Sequence, residues 1–478
     1  MPDLNLYVIA PEIAIVATAM LVLIAGLFID EGRNEWLAAL SMGGLAAAGV
    51  AIFGLWAMRG AVGFGGMAIA DQFALFLAGV FVVIAALTVL TSVAYRPVRV
   101  TERGEYYALV LFATAGMMLM AAGTDLIVLF LGLEMFSICL YILAGFLRPQ
   151  ERSEESALKY FLLGAFASGF LLYGIALTFG ATGTTNLAAI ASFIASKGLH
   201  TPMLLMGLGL ILVGFGFKIA MAPFHTWTPD VYEGAPTTIT GFMAAGTKAA
   251  GFAALLRILT QAFPSLQPDW VPILAILAVV TMTLGNVVAI WQTNIKRMLA
   301  YSSIAHAGYV LVAVAAATNE GLSSALYYLV VYALMNLGAF AVIVALGRRD
   351  REYVNISDFG GLSAKQPALA LAMALFMLSL AGFPPTGGFV GKFYIFRAAV
   401  NANLVWLAVF GVLNSVVSVY YYLRIVVLMY MSEPTEQPAP APVGWLLGLS
   451  VAVAAVGVLV LGVWPAGVTG LAQVVLLP

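Results

Sequence analysis

Runs of about 20 mainly apolar residues recur along the chain with short polar interruptions, and each run is long enough to cross the hydrocarbon core of a bilayer as a helix. The pattern predicts fourteen spans, at roughly 7–29, 36–58, 72–95, 106–122, 125–147, 156–180, 203–228, 235–260, 271–291, 295–317, 322–346, 368–398, 402–430 and 443–471. The expected fold class is an all-α polytopic membrane protein. An even number of spans puts both termini on one side. With the N-terminus outside, the inner loops hold Arg33, Arg96, Arg99, Arg103, Arg148, Arg152, Lys296, Arg297, Arg348, Arg349, Arg351 and Lys365, and the outer loops only Arg59, Lys197, Arg257 and Arg397. This bias predicts that both termini face the periplasm, across a bacterial inner membrane. The N-terminal MPDLNLYVIAPE lacks a basic n-region, so the first span is expected to remain in the mature protein.

Composition agrees with lipid as the main solvent: 63% of the 478 residues are hydrophobic and 9% charged, against roughly a quarter charged in soluble domains. A net charge of −1 argues against nucleic acid as a partner. One cysteine, Cys139, falls short of the four ligands of an iron–sulfur cluster or a structural zinc site, so no cofactor or metal is expected in this chain. Connections of at most about 25 residues leave no room for a nucleotide- or flavin-binding domain. The GLGL and GFGF runs near Gly207 and Gly214 lack a preceding strand and predict close helix packing instead of a dinucleotide site. The stretch SEPTEQPAPAP after Met431 reads as an extended linker before the last helix.

Against this background a few ionisable residues stand out. A charge at the bilayer centre costs about 2.5–3.5 kcal/mol on insertion scales, so it marks a polar cavity or a partner. Lys218 lies deep in LVGFGFKIAMAPFHTW, and Pro223 must interrupt its helix. Lys392 follows Pro384 and Pro385 in LSLAGFPPTGGFVGKFYIF, a second broken helix. Breaks at corresponding points of two halves point to an inverted-repeat transporter. An offset of 174 residues relates Lys392 to Lys218, and it nearly relates His306 to Glu134 and Arg424 to Lys248. Glu134 is a lone carboxylate in midspan, Lys248 is flanked by small residues, and His306 stands among hydroxyls suited to a proton relay. Lys159 opens its span and is a weaker candidate. Glu12, Arg424 and His225 read as interfacial or structural, Tyr420, Tyr421 and Tyr422 as an aromatic belt, and Met117, Met118 and Met120 as packing.

At these residues the sequence resembles the antiporter-like membrane subunits of respiratory complex I, which are related to subunits of multi-component sodium/proton antiporters. The resemblance runs from about Tyr106 to Tyr430 and rests on LGLEMFSICLYILAG, GFKIAMAPFHTWTPDVYEGAPT, NIKRMLAYSSIAHAGY and LAGFPPTGGFVGKF. It implies two inverted five-helix repeats, at 106–262 (helices 4–8) and 263–431 (helices 9–13), with helices 7 and 12 broken. A three-helix segment, 1–105, precedes them, and a linker with helix 14, 432–478, follows. Among the large paralogues, lysine at 392 argues against the one carrying glutamate there, and the short tail after span 14 argues against the one with a lateral helix.

The resemblance further implies a proton relay of Glu134, Lys218, Lys248 and Lys392, with Lys159 and His306 at further positions that match the family. A carboxylate and an ammonium 4 Å apart interact by roughly 4 kcal/mol at an effective dielectric near 20, so making or breaking a Glu134–Lys218 pair is expected to load or unload the lysine. Energy is expected from other membrane and peripheral subunits of complex I that hold FMN and iron–sulfur clusters, and protons are expected to travel with internal water. A sodium/proton antiporter subunit is the alternative; a structural scaffold would tolerate alanine at the buried lysines.

Overall fold

A computed structural model describes residues 4–29, 34–58, 60–95, 103–147, 149–197, 201–347, 352–433 and 443–474. The loop residues Arg33, Arg59, Arg96, Arg99, Arg148, Arg348, Arg349 and Arg351, and most of the Pro-rich linker, lie outside them. The chain forms α1 (Ala10–Gly26), α2 (Asn34–Trp56), α3 (Gln72–Val93), α4 (Gly104–Ala122), α5 (Leu126–Ala144) and α6 (Glu151–Thr182). The seventh span is split into α7a (Pro202–Lys218) and α7b (Trp227–Gly234). Then come α8 (Thr237–Ala262), α9 (Gln267–Ile290), α10 (Ile295–Ala315) and α11 (Asn319–Leu346). The twelfth span is split into α12a (Pro367–Ala381) and α12b (Gly387–Asn401), and α13 (Val405–Met431) and α14 (Trp445–Val463) complete the set. Among the described residues twelve helices are long and apolar enough to cross a membrane; the seventh and twelfth spans are the interrupted ones.

The breaks lie where proline withdraws a backbone donor. Between α7a and α7b, Ala220 adopts a positive φ of 59° and the Ala222–Pro223 bond is cis; between α12a and α12b, Gly382 takes φ 93° and Pro384–Pro385 is cis. Helix α8 is unbroken but contains π-helical turns at Met243–Thr247 and Ile258–Ala262. Two elements escape the hydropathy pattern: a hairpin pairing Ala61–Gly63 with Ala68–Ala70, and a short helix, Leu187–Lys197, between α6 and α7a.

Helices α8, α10 and α11 are buried almost throughout and form the centre, whereas α6, α13 and α14 bury only about a third of their residues and turn apolar side chains such as Phe166, Val416 and Val456 outward. The glycine runs act as packing surfaces, as expected. A Cβ on Gly207 would lie 2.7 Å from Thr178 Oγ1 on α6, and one on Gly214 would lie 2.6 Å from Leu171 Cβ.

Several expectations need correction. Tyr421 and Tyr422 are buried in the core; only Tyr420 faces outward. Glu12 does not reach a surface: it is buried, and its Oε2 has no hydrogen-bond partner among the described residues. Arg257 and Lys296, assigned above to loops, are buried within α8 and α10, because each has found a carboxylate outside its own helix.

Candidate functional site

Helix α5 presents Glu134, Ser137 and Tyr141 at intervals of three and four residues, a spacing that aligns them on one side of the helix. Glu134 is half-buried and accepts a hydrogen bond from Ser168 on α6. Lys218, the last residue of α7a, is 1% exposed. It does not form the expected ion pair with Glu134. Its Nζ donates to Ser137 Oγ at 2.7 Å and to Tyr141 Oη at 3.4 Å, one turn or more further along α5. The rings of Phe136, Tyr141, Tyr160 and Phe217 surround the ammonium at 5.3–5.5 Å from their centroids, within cation–π range.

Lys248 follows the first π-turn of α8 and is 2% exposed. Its Nζ donates to Ile219 O, in the break of the seventh span, at 3.1 Å and to Ser303 O on α10 at 2.7 Å. It therefore joins one broken helix to the helix that carries His306. Lys392 is 4% exposed and bonds Leu380 O and Ala381 O, each at 3.0 Å, with the Tyr309 ring 4.7 Å away. Lys218 lies before its break and Lys392 after its own, so the two are not equivalent in position. Yet the last turn of α12a receives the Lys392 ammonium, and the carbonyl just past α7a receives that of Lys248. The carboxyl end of a helix, with unpaired carbonyls and a negative dipole, suits a cation.

Between Lys248 and Lys392 lies a set of hydroxyls that the sequence singled out only in part. His306 sits between Tyr328 Oη, 2.5 Å from Nδ1, and Tyr422 Oη, 3.0 Å from Nε2. Tyr422 also bonds Ser302, and Tyr332 Oη donates to Ser303 Oγ at 2.7 Å. Tyr421 and Tyr309 meet at Asn286. The hydroxyls of Ser302, Ser303 and Tyr309 flank His306 in the sequence and were legible there; the belt reading absorbed Tyr421 and Tyr422, and Tyr328 and Tyr332 carried no signal beyond tyrosine in an otherwise aliphatic helix.

Lys159 stands apart, 41% exposed at the side chain, and pairs with Glu155 and Asp230, each at 2.6 Å. Asp230 also pairs with Arg297 at 2.7 Å, and Arg297 reaches Glu233 at 3.1 Å. Glu155, Asp230, Glu233 and Arg297 line a cavity of about 240 Å³. At the same end of α10, Lys296 Nζ donates to Ala235 O at 2.6 Å and to Glu352 at 3.3 Å, while Tyr95 and Thr237 donate to the other Glu352 oxygen. Near the C-terminal end of α8, Arg257 pairs with Asp71. Among the described residues no group of three or more His, Cys, Asp or Glu side chains is arranged to hold a metal ion.

Residues 122–418 match the family model described as NADH:quinone oxidoreductase/Mrp antiporter, TM. NADH-quinone oxidoreductase subunit N of Trichlorobacter lovleyi is 51% identical over 98% of this chain and 96% of its own length. Its counterpart in Chloroflexus aggregans is 48% identical over 99% and 97%. Among solved structures, a chain of respiratory complex I from Thermus thermophilus with bound aureothin superposes with a TM-score of 0.82 at 36% identity, over 96% of this chain and 98% of that one. A chain of the Mrp complex of Dietzia sp. superposes with a TM-score of 0.86 over 98% and 96%, but at 21% identity it speaks for the fold alone. With near end-to-end similarity to these relatives and a family model spanning more than half its length, the chain belongs to the subunit N branch of the NADH:quinone oxidoreductase/Mrp antiporter family.

Proposed function

We propose that this chain is a proton-translocating membrane-arm subunit of an NADH-quinone oxidoreductase, working through Glu134, Lys218, Lys248 and Lys392, with His306 between the last two and Lys159 at the periphery. One observation carries the reading. Lys218, Lys248 and Lys392 are each at most 4% exposed, and among the described residues none has a carboxylate within ion-pair distance. Burying an ammonium without a counter-charge is strongly unfavourable, and a fold that needed only packing there would do better with methionine or leucine. Groups that must give up and regain a proton explain why lysine stands at all three places.

In this arrangement Lys218 rests on Ser137, away from Glu134. A shift of about one helical turn along α5 would bring ammonium and carboxylate together, with an interaction of roughly 4 kcal/mol at contact. Opening the pair again favours release of the proton toward Lys248, whose ammonium already touches the break beside Lys218. Water in the two breaks and the hydroxyls around His306 would carry it to Lys392. The chain would draw its energy from other membrane and peripheral subunits holding FMN and iron–sulfur clusters. Residues 106–262 and 263–431 would act as the two inverted repeats, in a bacterial inner membrane with both termini periplasmic. A sodium/proton antiporter subunit is the second reading; the near-half identity to subunit N proteins favours the first.

The test is Lys218→Ala in membrane vesicles carrying the whole complex, with NADH as fuel and the pH gradient followed by a dye. Pumping should fall at least tenfold while assembly on native gels is retained. An undiminished gradient, or pumping that requires sodium, would count against this reading.

A further inference from the structure

Helix α7b has only eight residues, and the break cuts it off from α7a, so it is too short to hold its own place. Trp227 fixes its buried side: Nε1 donates to Phe217 O at 2.9 Å, and the ring stacks on Tyr160 with centroids 4.6 Å apart. Asp230, three residues on and therefore on an adjoining part of the helix surface, fixes its polar flank. One of its oxygens accepts from Lys159 Nζ on α6 at 2.6 Å, the other from Arg297 Nη1 on α10 at 2.7 Å. Asp230 thus ties α7b to both neighbours at the rim of the 240 Å³ cavity, and Glu233 of the same helix adds longer contacts to Arg297 at 3.1 Å and Arg152 at 3.4 Å.

The same piece of α6 also reaches the buried lysine. Tyr160, next to Lys159, is stacked on Trp227, and its ring centroid lies 5.4 Å from Lys218 Nζ. From Asp230 to Lys218 the contacts are continuous: carboxylate to Lys159, its neighbour Tyr160 to Trp227, and Tyr160 to the ammonium. The cluster is partly exposed, and ion pairs in that setting add little to stability. Weak pairs are poor anchors for a fold but well suited to an element that must open and close.

We propose that Asp230 is a positioning residue that latches α7b between α6 and α10 and thereby controls how the rim cavity communicates with Lys218. This rests on the relay role of Lys218 given above. Releasing the latch lets α7b and Trp227 move away from Tyr160, opening the packing around the ammonium from that side.

The experiment uses the whole complex with Asp230→Asn, which keeps the shape and removes the charge, alongside Asp230→Glu and Lys159→Gln. Two quantities are read: protons moved per NADH oxidised in vesicles, and the rate at which an introduced Thr228→Cys, buried at the start of α7b, reacts with a polar thiol reagent in mild detergent. Native Cys139 is buried and serves as the background. Asp230→Asn should lower the proton ratio at least twofold and raise labelling severalfold, with Asp230→Glu close to the parent and Lys159→Gln in between. If Asp230→Asn fails to assemble, Lys159→Gln alone decides by the same two readouts. Unchanged ratio and labelling, in vesicles where Lys218→Ala abolishes pumping, would overturn the latch. If Lys218→Ala pumps normally, the relay itself has failed, and unchanged labelling would then reject the latch separately.

Discussion

The pair between Arg257 and Asp71 offers the most quantitative test of how the buried charges are held. Arg257 is fully buried; Nη1 and Nη2 each donate to one Asp71 oxygen at 2.9 Å, and Nε and Nη2 also donate to Ala121 O at 3.0 and 2.8 Å. Asp71 additionally caps α3 by accepting from Ala74 N at 2.8 Å. Asp71→Asn keeps the shape and, since asparagine caps as well as aspartate, the cap. What it removes is the counter-charge. Stranding one member of a buried pair costs about 3–5 kcal/mol. The surviving bonds to Ala121 O and the partial exposure of Asp71 put this case near the lower end, about 3 kcal/mol. At 1.36 kcal/mol per tenfold, amides near the end of α8 should exchange roughly a hundredfold faster wherever that opening governs exchange. Asp71→Asn with Arg257→Met removes the stranded charge and should recover most of the protection. Hydrogen-exchange mass spectrometry of residues 255–262 in the assembled complex reads this directly. Parent-like exchange in Asp71→Asn, or a double variant worse than the single one, would refute the assignment of the pair as a buried anchor.

Glu352, in the loop after α11, predicts a pH dependence. Burial alone would raise its pKa, but the Lys296 charge and the hydrogen bonds from Tyr95, Thr237 and Lys296 outweigh this and hold the carboxyl below its ordinary 4.5. Its contribution to stability is therefore present above about pH 4.5 and lost as pH falls through the lowered value. Thermal unfolding followed from pH 7 to 3 should show an acid-sensitive step in the parent that Glu352→Gln lacks, and identical profiles would reject it. For orientation, a cysteine replacing the exposed Arg152 should react with a membrane-impermeant reagent from the cytoplasmic side only; reaction from outside in intact cells would reverse the topology.

The sequence made some of this legible and hid the rest for a physical reason. Hydropathy locates spans well because bilayer thickness imposes a minimum length on every spanning helix, and proline marks the two breaks because it lacks an N–H. A charge in an apolar run stands out by itself, which is why Glu134, Lys218, Lys248 and Lys392 could be picked out before any contact was known. Partnership is different. Arg257 and Asp71 are 186 positions apart, Lys296 and Glu352 are 56 apart, and nothing local in either segment announces the other. Counted as loop residues by their distance from span centres, Arg257 and Lys296 proved to be buried. Polar residues that are ordinary in type, such as Tyr328, Tyr422 and Asn286, are invisible for the opposite reason: alone, each resembles packing or an interface, and only convergence gives it chemistry.

The three buried lysines make the same point about mechanism. Their side chains end on a hydroxyl, on backbone carbonyls or against aromatic rings, ligands that stabilise an ammonium through dipoles and quadrupoles and carry no net charge. A full counter-charge would bind the proton too firmly to release, and an apolar pocket would not hold the charged form at all. Helix ends exposed by a break lie between these extremes, because carbonyls freed there need a donor whether or not a proton is passing. In the proposed relay the interruptions in the seventh and twelfth spans would serve two needs at once: they admit polar groups among apolar helices, and they offer backbone carbonyls to the ammonium groups of Lys248 and Lys392.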